Sequence, residues 1–120
     1  MATMIGADAI VCYLMGRPPD LADGAAQVID GDDQLLIPTV AIAEAGRQLV
    51  DACGIPRAAV ADALMDLLQK QNVSLHGAEP DDVLQALLMC KTTNDLSFAD
   101  AMVWASARSV GGKLFTGDGR

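Results

Sequence analysis

Apolar residues follow two different spacings along this chain, and the spacings predict short strands separated by amphipathic helices. Short apolar runs that end near glycine, proline or acidic residues predict four strands, at 4–7, 34–37, 73–75 and 113–116. Elsewhere the apolar residues recur every three or four positions, as in Val60, Ala63, Leu64, Leu67 and Leu68. This second spacing places them on one face of a helix.

Six helices are predicted, with ends set by capping residues and turn formers. Their ranges are about 9–15, 19–29, 39–53, 56–69, 79–89 and 97–109, with Thr39 and Ser97 as N-caps. Two helices therefore follow each of the first three strands through short connections. This order favours a parallel sheet covered on both faces, within a single α/β domain that spans residues 1–120.

The composition fits one domain with an aliphatic core. Hydrophobic residues make up 52% of the 120 positions, which is enough to form a core without disulfide bonds or a structural metal. Only 3% of the residues are aromatic, which favours helices packed on a sheet over a β-sandwich. The three cysteines are widely spaced, so we expect reduced thiols. Because no signal peptide and no membrane-length apolar run are recognised, we expect a cytoplasmic protein without a membrane segment.

The formal charge of −8 has two opposite implications. Taken alone it argues against a nucleic-acid partner, because an acidic protein repels nucleic acid unless cations or a basic cluster intervene. A site built from several carboxylates would also contribute negative charge, which a bound divalent ion would partly offset. The positions of the acidic residues therefore matter more than their number.

Four acidic residues lie where a parallel α/β sheet gathers its ligands, near the carboxyl ends of the strands. Asp8 and Asp118 follow predicted strands, whereas Glu44 and Asp100 lie early in predicted helices. Each acid also has a purely structural interpretation: an N-cap for Asp8, an ion pair with Arg47 for Glu44, a capping box with Ser97 for Asp100, and a glycine-flanked turn for Asp118. Taken one residue at a time, the structural interpretation is favoured for Glu44 and Asp118, whereas for Asp8 both remain open and for Asp100 the two roles are compatible.

Other catalytic patterns are absent from the sequence. His76 is the only histidine, which excludes a Ser-His-Asp triad, and we expect it on a surface loop. No two cysteines lie close together, so no zinc pattern is present. The Gly111-Gly112-Lys113 segment lacks the following Ser or Thr and the upstream glycine of a phosphate-binding loop.

As an ordered set, the acidic segments resemble the four motifs of PIN-domain nucleases. The segments are Asp8-Ala9-Ile10-Val11, Ile37-Pro38 through Glu44, Ser97-Phe98-Ala99-Asp100-Ala101, and Leu114-Phe115-Thr116-Gly117-Asp118. They span nearly the whole chain in the family's order, and the chain's size is similar to that of VapC-like toxins of bacterial toxin–antitoxin pairs. The resemblance implies a three-layer α/β/α sandwich with a central, mainly parallel sheet of about four to five strands.

The resemblance also implies an activity and a site. Asp8, Glu44, Asp100 and Asp118 would be the metal-binding catalytic acids, with the Thr116 hydroxyl supporting them. Oxygen ligands of this kind suit Mg²⁺ or Mn²⁺, which can activate a water molecule for hydrolysis of a phosphodiester bond. The expected protein is an endoribonuclease that leaves a 5′ phosphate and acts as the toxin of a VapBC-like pair. Its expected partners are RNA, a second copy of the chain and an antitoxin protein.

Two alternative functions remain at this point. Ile10 occupies the position, two residues after the first acid, where the family usually has Asn, Ser, Thr or Asp, and the chain stops two residues after Asp118. These departures favour a catalytically impaired PIN-like module that binds other proteins. A phospho-receiver signalling domain is also acidic and α/β, and Thr116 and Lys113 would suit it. That fold requires regular strand–helix alternation, which the paired helices between residues 39 and 69 interrupt.

Overall fold

Three short parallel strands lie at the centre of the structure, a computed structural model that describes residues 3–111. The strands are β1 (Thr3–Met4), β2 (Leu35–Pro38) and β3 (Val73–His76), in the spatial order β1-β2-β3. β2 is the central strand of the three, with Leu35 opposite both Thr3 and Val73. The predicted parallel sheet is thus confirmed. The fourth predicted strand, 113–116, lies outside the described residues.

Helices follow the strands in pairs, as the sequence predicts. They are α1 (Ala7–Met15), α2 (Pro19–Ile29), α3 (Thr39–Asp51), α4 (Arg57–Leu68), α5 (Pro80–Thr92) and α6 (Phe98–Ser109). Together with the sheet they form an α/β arrangement of the α/β/α sandwich type. Helix α5 is longer than predicted because its buried positions, Val83, Ala86, Leu87 and Cys90, continue the helical spacing past residue 89.

The helix starts depend on local sequence in three different ways. Proline occupies the first helical position of α2 and α5, where its missing N–H group costs nothing. Ser97 caps α6, because its hydroxyl oxygen accepts a hydrogen bond from the backbone N–H of Asp100 at 3.0 Å. The prediction that Thr39 caps α3 is wrong: Pro38 occupies the cap position and Thr39 is the first helical residue.

The core is aliphatic, as the composition predicts. Its largest fully buried side chains include Ile10, Ile42, Leu64 and Leu87. Within residues 3–111 no polar or charged residue is buried, so every acidic side chain described lies at or near the surface. His76 is exposed as expected, although it ends β3 rather than lying on a loop. No helix in this part of the chain is long and apolar enough to cross a membrane.

Candidate functional site

Glu44 projects from the middle of α3 and is held by two neighbours on the same helix. Its carboxylate accepts a hydrogen bond from Arg47 Nε at 3.1 Å, a second from Arg47 Nη2, and a third from Gln48 Nε2 at 3.2 Å. The Arg47 and Gln48 hydrogen bonds lower the pKa of Glu44 from its ordinary value of 4.5 to about 2. The ion pair that the sequence suggested is therefore present, and Glu44 stays ionised at neutral pH.

Glu44 also borders a cavity of about 300 Å³ where α3 meets the starts of α4 and α6. The cavity is lined by Val40, Ala43, Glu44, Arg47, Val50, Asp51, Arg57, Ser97, Phe98 and Ala99. Three of these residues immediately precede Asp100 in sequence. The fold therefore brings the segment that carries the second predicted acid next to the segment that carries the third.

Asp100 is the third residue of α6, and its side chain is exposed. Its backbone N–H donates a hydrogen bond to the Ser97 hydroxyl, so the Ser97 half of the predicted capping box is present, whereas the return bond from the Ser97 backbone N–H to the Asp100 carboxylate is not made. The carboxylate itself has no hydrogen-bond or ion-pair partner among residues 3–111. A negative charge at this position is stabilised by the positive end of the helix dipole. As far as residues 3–111 are concerned, the carboxylate oxygens of Asp100 are thus available to a ligand.

A glycine allows the two helices to approach this closely. A Cβ atom added to Gly46 of α3 would lie 2.7 Å from Cγ of Phe98, the first residue of α6. Phe98 is only 4% exposed, so its ring cannot move away easily. Gly46 follows Glu44 by two residues and Phe98 precedes Asp100 by two. This contact was not predicted from the sequence, although a glycine inside an apolar helical pattern was a usable signal.

Asp8 lies in a different part of the surface. It is the second residue of α1 and Gly6 occupies the N-cap position, so the capping interpretation of Asp8 is wrong. Its exposed side chain borders a second cavity of about 460 Å³, together with Asp20, Leu21 and other residues of α1, α2 and β1. Asp8 does not line the cavity next to Glu44. Helix α1 does pack against α3, which places the two acids on neighbouring helices.

The described part of the chain does not by itself complete a metal site. Within residues 3–111, no three His, Cys, Asp or Glu side chains are close enough to hold an ion. The fourth predicted acid, Asp118, and its supporting residue Thr116 lie outside the described residues. The available donors are carboxylates, which are the ligand type that Mg²⁺ and Mn²⁺ prefer. The chemistry of these donors therefore fits a divalent ion.

We expect that changing Arg47 to Met will raise the pKa of Glu44 from about 2 toward 4.5, because the largest cause of the lowered value is the Arg47 hydrogen bond. Because the pKa of Glu44 is lower in the folded chain than in the unfolded chain, its ionised form stabilises the fold at pH values above the unfolded-state pKa. This contribution is lost as the pH falls toward 2. Carbon-detected NMR titration can follow Glu44 because the chain contains only two glutamates.

The matched control for this titration is Arg108→Met, which removes an exposed arginine that pairs with Asp82 instead. It should leave the Glu44 titration unchanged. An unchanged Glu44 pKa in Arg47→Met would show that the ion pair does not persist in solution.

A family model described as PIN domain matches residues 8–120, which includes all four predicted acids. The searches of curated proteins and of solved structures gave no match.

Proposed function

The chain belongs to the PIN-domain family, and from that premise we propose that it is a metal-dependent endoribonuclease. PIN domains are generally metal-dependent nucleases, so hydrolysis of nucleic acid is the activity that the family supports. The observation that carries the proposal is the family match over residues 8–120, within which the acidic segments occur in the order of the family's motifs. Mg²⁺ or Mn²⁺ as the ion, and RNA as the substrate, are parts of the proposal.

The proposed ligands of the ion are Asp8, Glu44, Asp100 and Asp118, with Thr116 supporting them. When bound, the ion would supply an activated water molecule and would neutralise charge on the phosphodiester. Asp8 and Asp100 suit this role because both are exposed and neither has a partner among residues 3–111. Arg47 Nη2 and Gln48 Nε2 both donate hydrogen bonds to Oε1 of Glu44. One of these two hydrogen bonds would have to be given up for Oε1 to bind the ion. Arg47 could then remain on Oε2 and keep the carboxylate oriented.

One structural observation favours a second function. Ile10, which stands where the family usually has a polar residue, is completely buried in the core. It therefore packs α1 against its neighbours and offers nothing to a metal or to RNA. This favours the alternative of a catalytically impaired PIN-like module that binds proteins. The family match leaves no support for the phospho-receiver alternative.

The biological setting is proposed from the resemblance to VapC-like toxins alone. In that setting the chain would be the toxin of a VapBC-like pair, would form a homodimer and would be inhibited by an antitoxin protein. Exposed apolar side chains such as Leu21, Val40 and Val103 offer surface that such partners could cover. The mass of the chain in solution, measured by light scattering at micromolar concentration, distinguishes a dimer from a monomer.

We expect RNA cleavage by the purified chain to require a divalent ion, to stop with EDTA and to resume with excess Mn²⁺. The physical reason is that a water molecule must be activated to attack the phosphodiester, and the sequence offers no His, Lys or Cys arrangement that could replace a metal in that role. End-labelled RNA should show products with a 5′ phosphate. Asp8→Asn, purified in parallel, should be inactive and so controls for a contaminating ribonuclease.

Two results would contradict this mechanism in different ways. If cleavage resists EDTA but is lost in Asp8→Asn, the chain is a nuclease and the proposed metal dependence is wrong. A folded wild-type protein that cleaves no RNA with either ion would favour the protein-binding module.

A further inference from the structure

Arg57, the first residue of α4, has a guanidinium group that two contacts hold in place. Its Nε donates a hydrogen bond to the backbone oxygen of Cys90 at 2.8 Å, and the group lies 5.1 Å from the centre of the Phe98 ring. Its Nη2 atom is buried, yet it has no hydrogen-bond partner within residues 3–111. A buried donor without an acceptor has lost its hydrogen bond to water and has formed no hydrogen bond within the protein to replace it. A ligand that brought an acceptor to this atom would therefore be favoured.

The cavity that Arg57 lines limits which ligand could bring that acceptor. Its walls are mainly apolar and include Val40, Ala43, Val50, Phe98 and Ala99. Its four charged lining residues, Glu44, Asp51, Arg47 and Arg57, have formal charges that cancel. A pocket without net charge and with apolar walls is a poor site for a phosphate group, which carries a charge that would need compensation. The same pocket suits a neutral, planar group with a hydrogen-bond acceptor at its edge.

We propose that this cavity binds one unstacked nucleobase of an RNA, with Arg57 Nη2 donating to an acceptor on the edge of the base. Proteins that read single-stranded RNA commonly place splayed bases against aromatic rings and guanidinium planes and bond to their edges. The cavity volume of about 300 Å³ is at the lower end for ligand pockets, which matches a single base better than a dinucleotide. The inference rests on the proposed action on RNA.

Glu44 connects this pocket to the proposed metal site, because it lines the cavity and is one of the proposed ligands. A base seated against Arg57 would therefore belong to a nucleotide close to the phosphate that is cut. The pocket would select which RNA position is cleaved, whereas the acids would carry the chemistry. This division of roles lets the pocket be tested by binding alone.

The test measures binding of fluorescein-labelled RNA hexamers to Asp8→Asn, which keeps the RNA intact. In a series of hexamers, each carries one abasic position that retains its ribose and phosphate. One abasic position should weaken binding by about tenfold, since a well-formed set of base-edge contacts contributes on that order. In the Arg57→Met variant of the same protein, the abasic and normal hexamers should bind equally.

Two further variants make the result specific. Arg108→Met is the matched control, because Arg108 also stacks on an aromatic ring, at 5.4 Å from the centre of Trp104, but does not line the cavity. It should keep the tenfold difference. Ala99→Leu adds bulk to the cavity from an exposed position, and Ala99 takes no part in the bond between Arg57 and Cys90. It should remove the difference, and it decides the question alone if Arg57→Met does not fold.

The outcomes separate this inference from the proposed nuclease activity. If one abasic position weakens binding and this difference disappears in Arg57→Met, the pocket is supported even if the wild-type chain cleaves no RNA. If Arg57→Met weakens all hexamers equally, and more strongly at low salt, Arg57 contacts a phosphate and the base pocket is wrong. If neither Arg57→Met nor Ala99→Leu changes RNA binding, the pocket does not bind RNA, and a protein side chain becomes the occupant to examine.

Discussion

RNA cleavage should fall by at least about a hundredfold when Asp100 is changed to Asn. Even residues that only hydrogen-bond to a metal ligand change metal affinity or activity by roughly 10- to 100-fold when mutated, and Asp100 is proposed as a ligand itself. The substitution keeps the shape of the side chain and removes only its charge. It also keeps the cap of α6, since the bond to Ser97 comes from the backbone N–H of residue 100. The melting temperature without metal should therefore fall only slightly, because all that is lost is the attraction between an exposed carboxylate and the helix dipole, about 0.3–1 kcal/mol. Cleavage rates and melting curves of the same preparations measure both effects.

Asp81→Asn is the matched control for this charge. Asp81 is also an exposed first-turn carboxylate, at the start of α5, and it lines neither of the cavities next to Glu44 and Asp8. Its removal lowers the net negative charge by the same amount and should leave cleavage within about twofold of wild type, as is usual for surface substitutions away from a site. Full activity in Asp100→Asn, with an unchanged fold, would remove Asp100 from the proposed ligand set.

Gly46→Ala should destabilise the fold by about 1–3 kcal/mol, the usual cost of inserting a carbon into a packed interior. The added Cβ would lie 2.7–3.0 Å from three atoms of the buried Phe98 ring. Either α3 or α6 must move to relieve this contact, and both carry proposed site residues. We therefore expect cleavage to fall together with stability, measured by chemical denaturation and by the cleavage rate at a temperature where the variant is folded.

Gly24→Ala provides a comparison of opposite sign. Gly24 lies in the interior of α2, and a Cβ added there would meet no atom within 4 Å. Alanine is favoured over glycine in a helix by roughly 0.5–1 kcal/mol, so this variant should be slightly more stable than wild type. If Gly46→Ala were also stabilising, the close packing of α3 on Phe98 would not exist in solution. The two glycines thus separate a helix-propensity effect from a packing effect.

The two site variants test different levels of the structure. Asp100→Asn removes a charge and should lower activity strongly while changing stability only slightly. Gly46→Ala changes none of the proposed ligand residues, and it should affect both activity and stability because it alters the distance between two helices that carry them. If the Gly46→Ala variant is less stable than wild type but cleaves RNA normally, the packing of α3 on α6 does not position the acids.

Much of the fold was determined by local sequence. The ends of α2 at Pro19 and Ile29 were predicted correctly, because proline starts the helix and the apolar spacing is continuous up to the loop before β2. The Ser97 cap and the pair between Glu44 and Arg47 were also expected, since both join residues three positions apart. Interactions within one helical turn follow from residue identity and helix geometry alone.

Interactions between elements were decided only by the tertiary structure. Arg57 reads in sequence as an ordinary first-turn residue, yet its contacts lie 33 positions away at Cys90 and on Phe98 in another helix. The sequence placed Asp8 and Glu44 at the same sheet edge, but it did not reveal that they border separate cavities. Which side chains meet across helices depends on packing angles, on the small residues that allow close approach and on the rotation of each helix about its axis. A spacing pattern specifies which face of a helix is buried, and it carries no information about which neighbour covers that face.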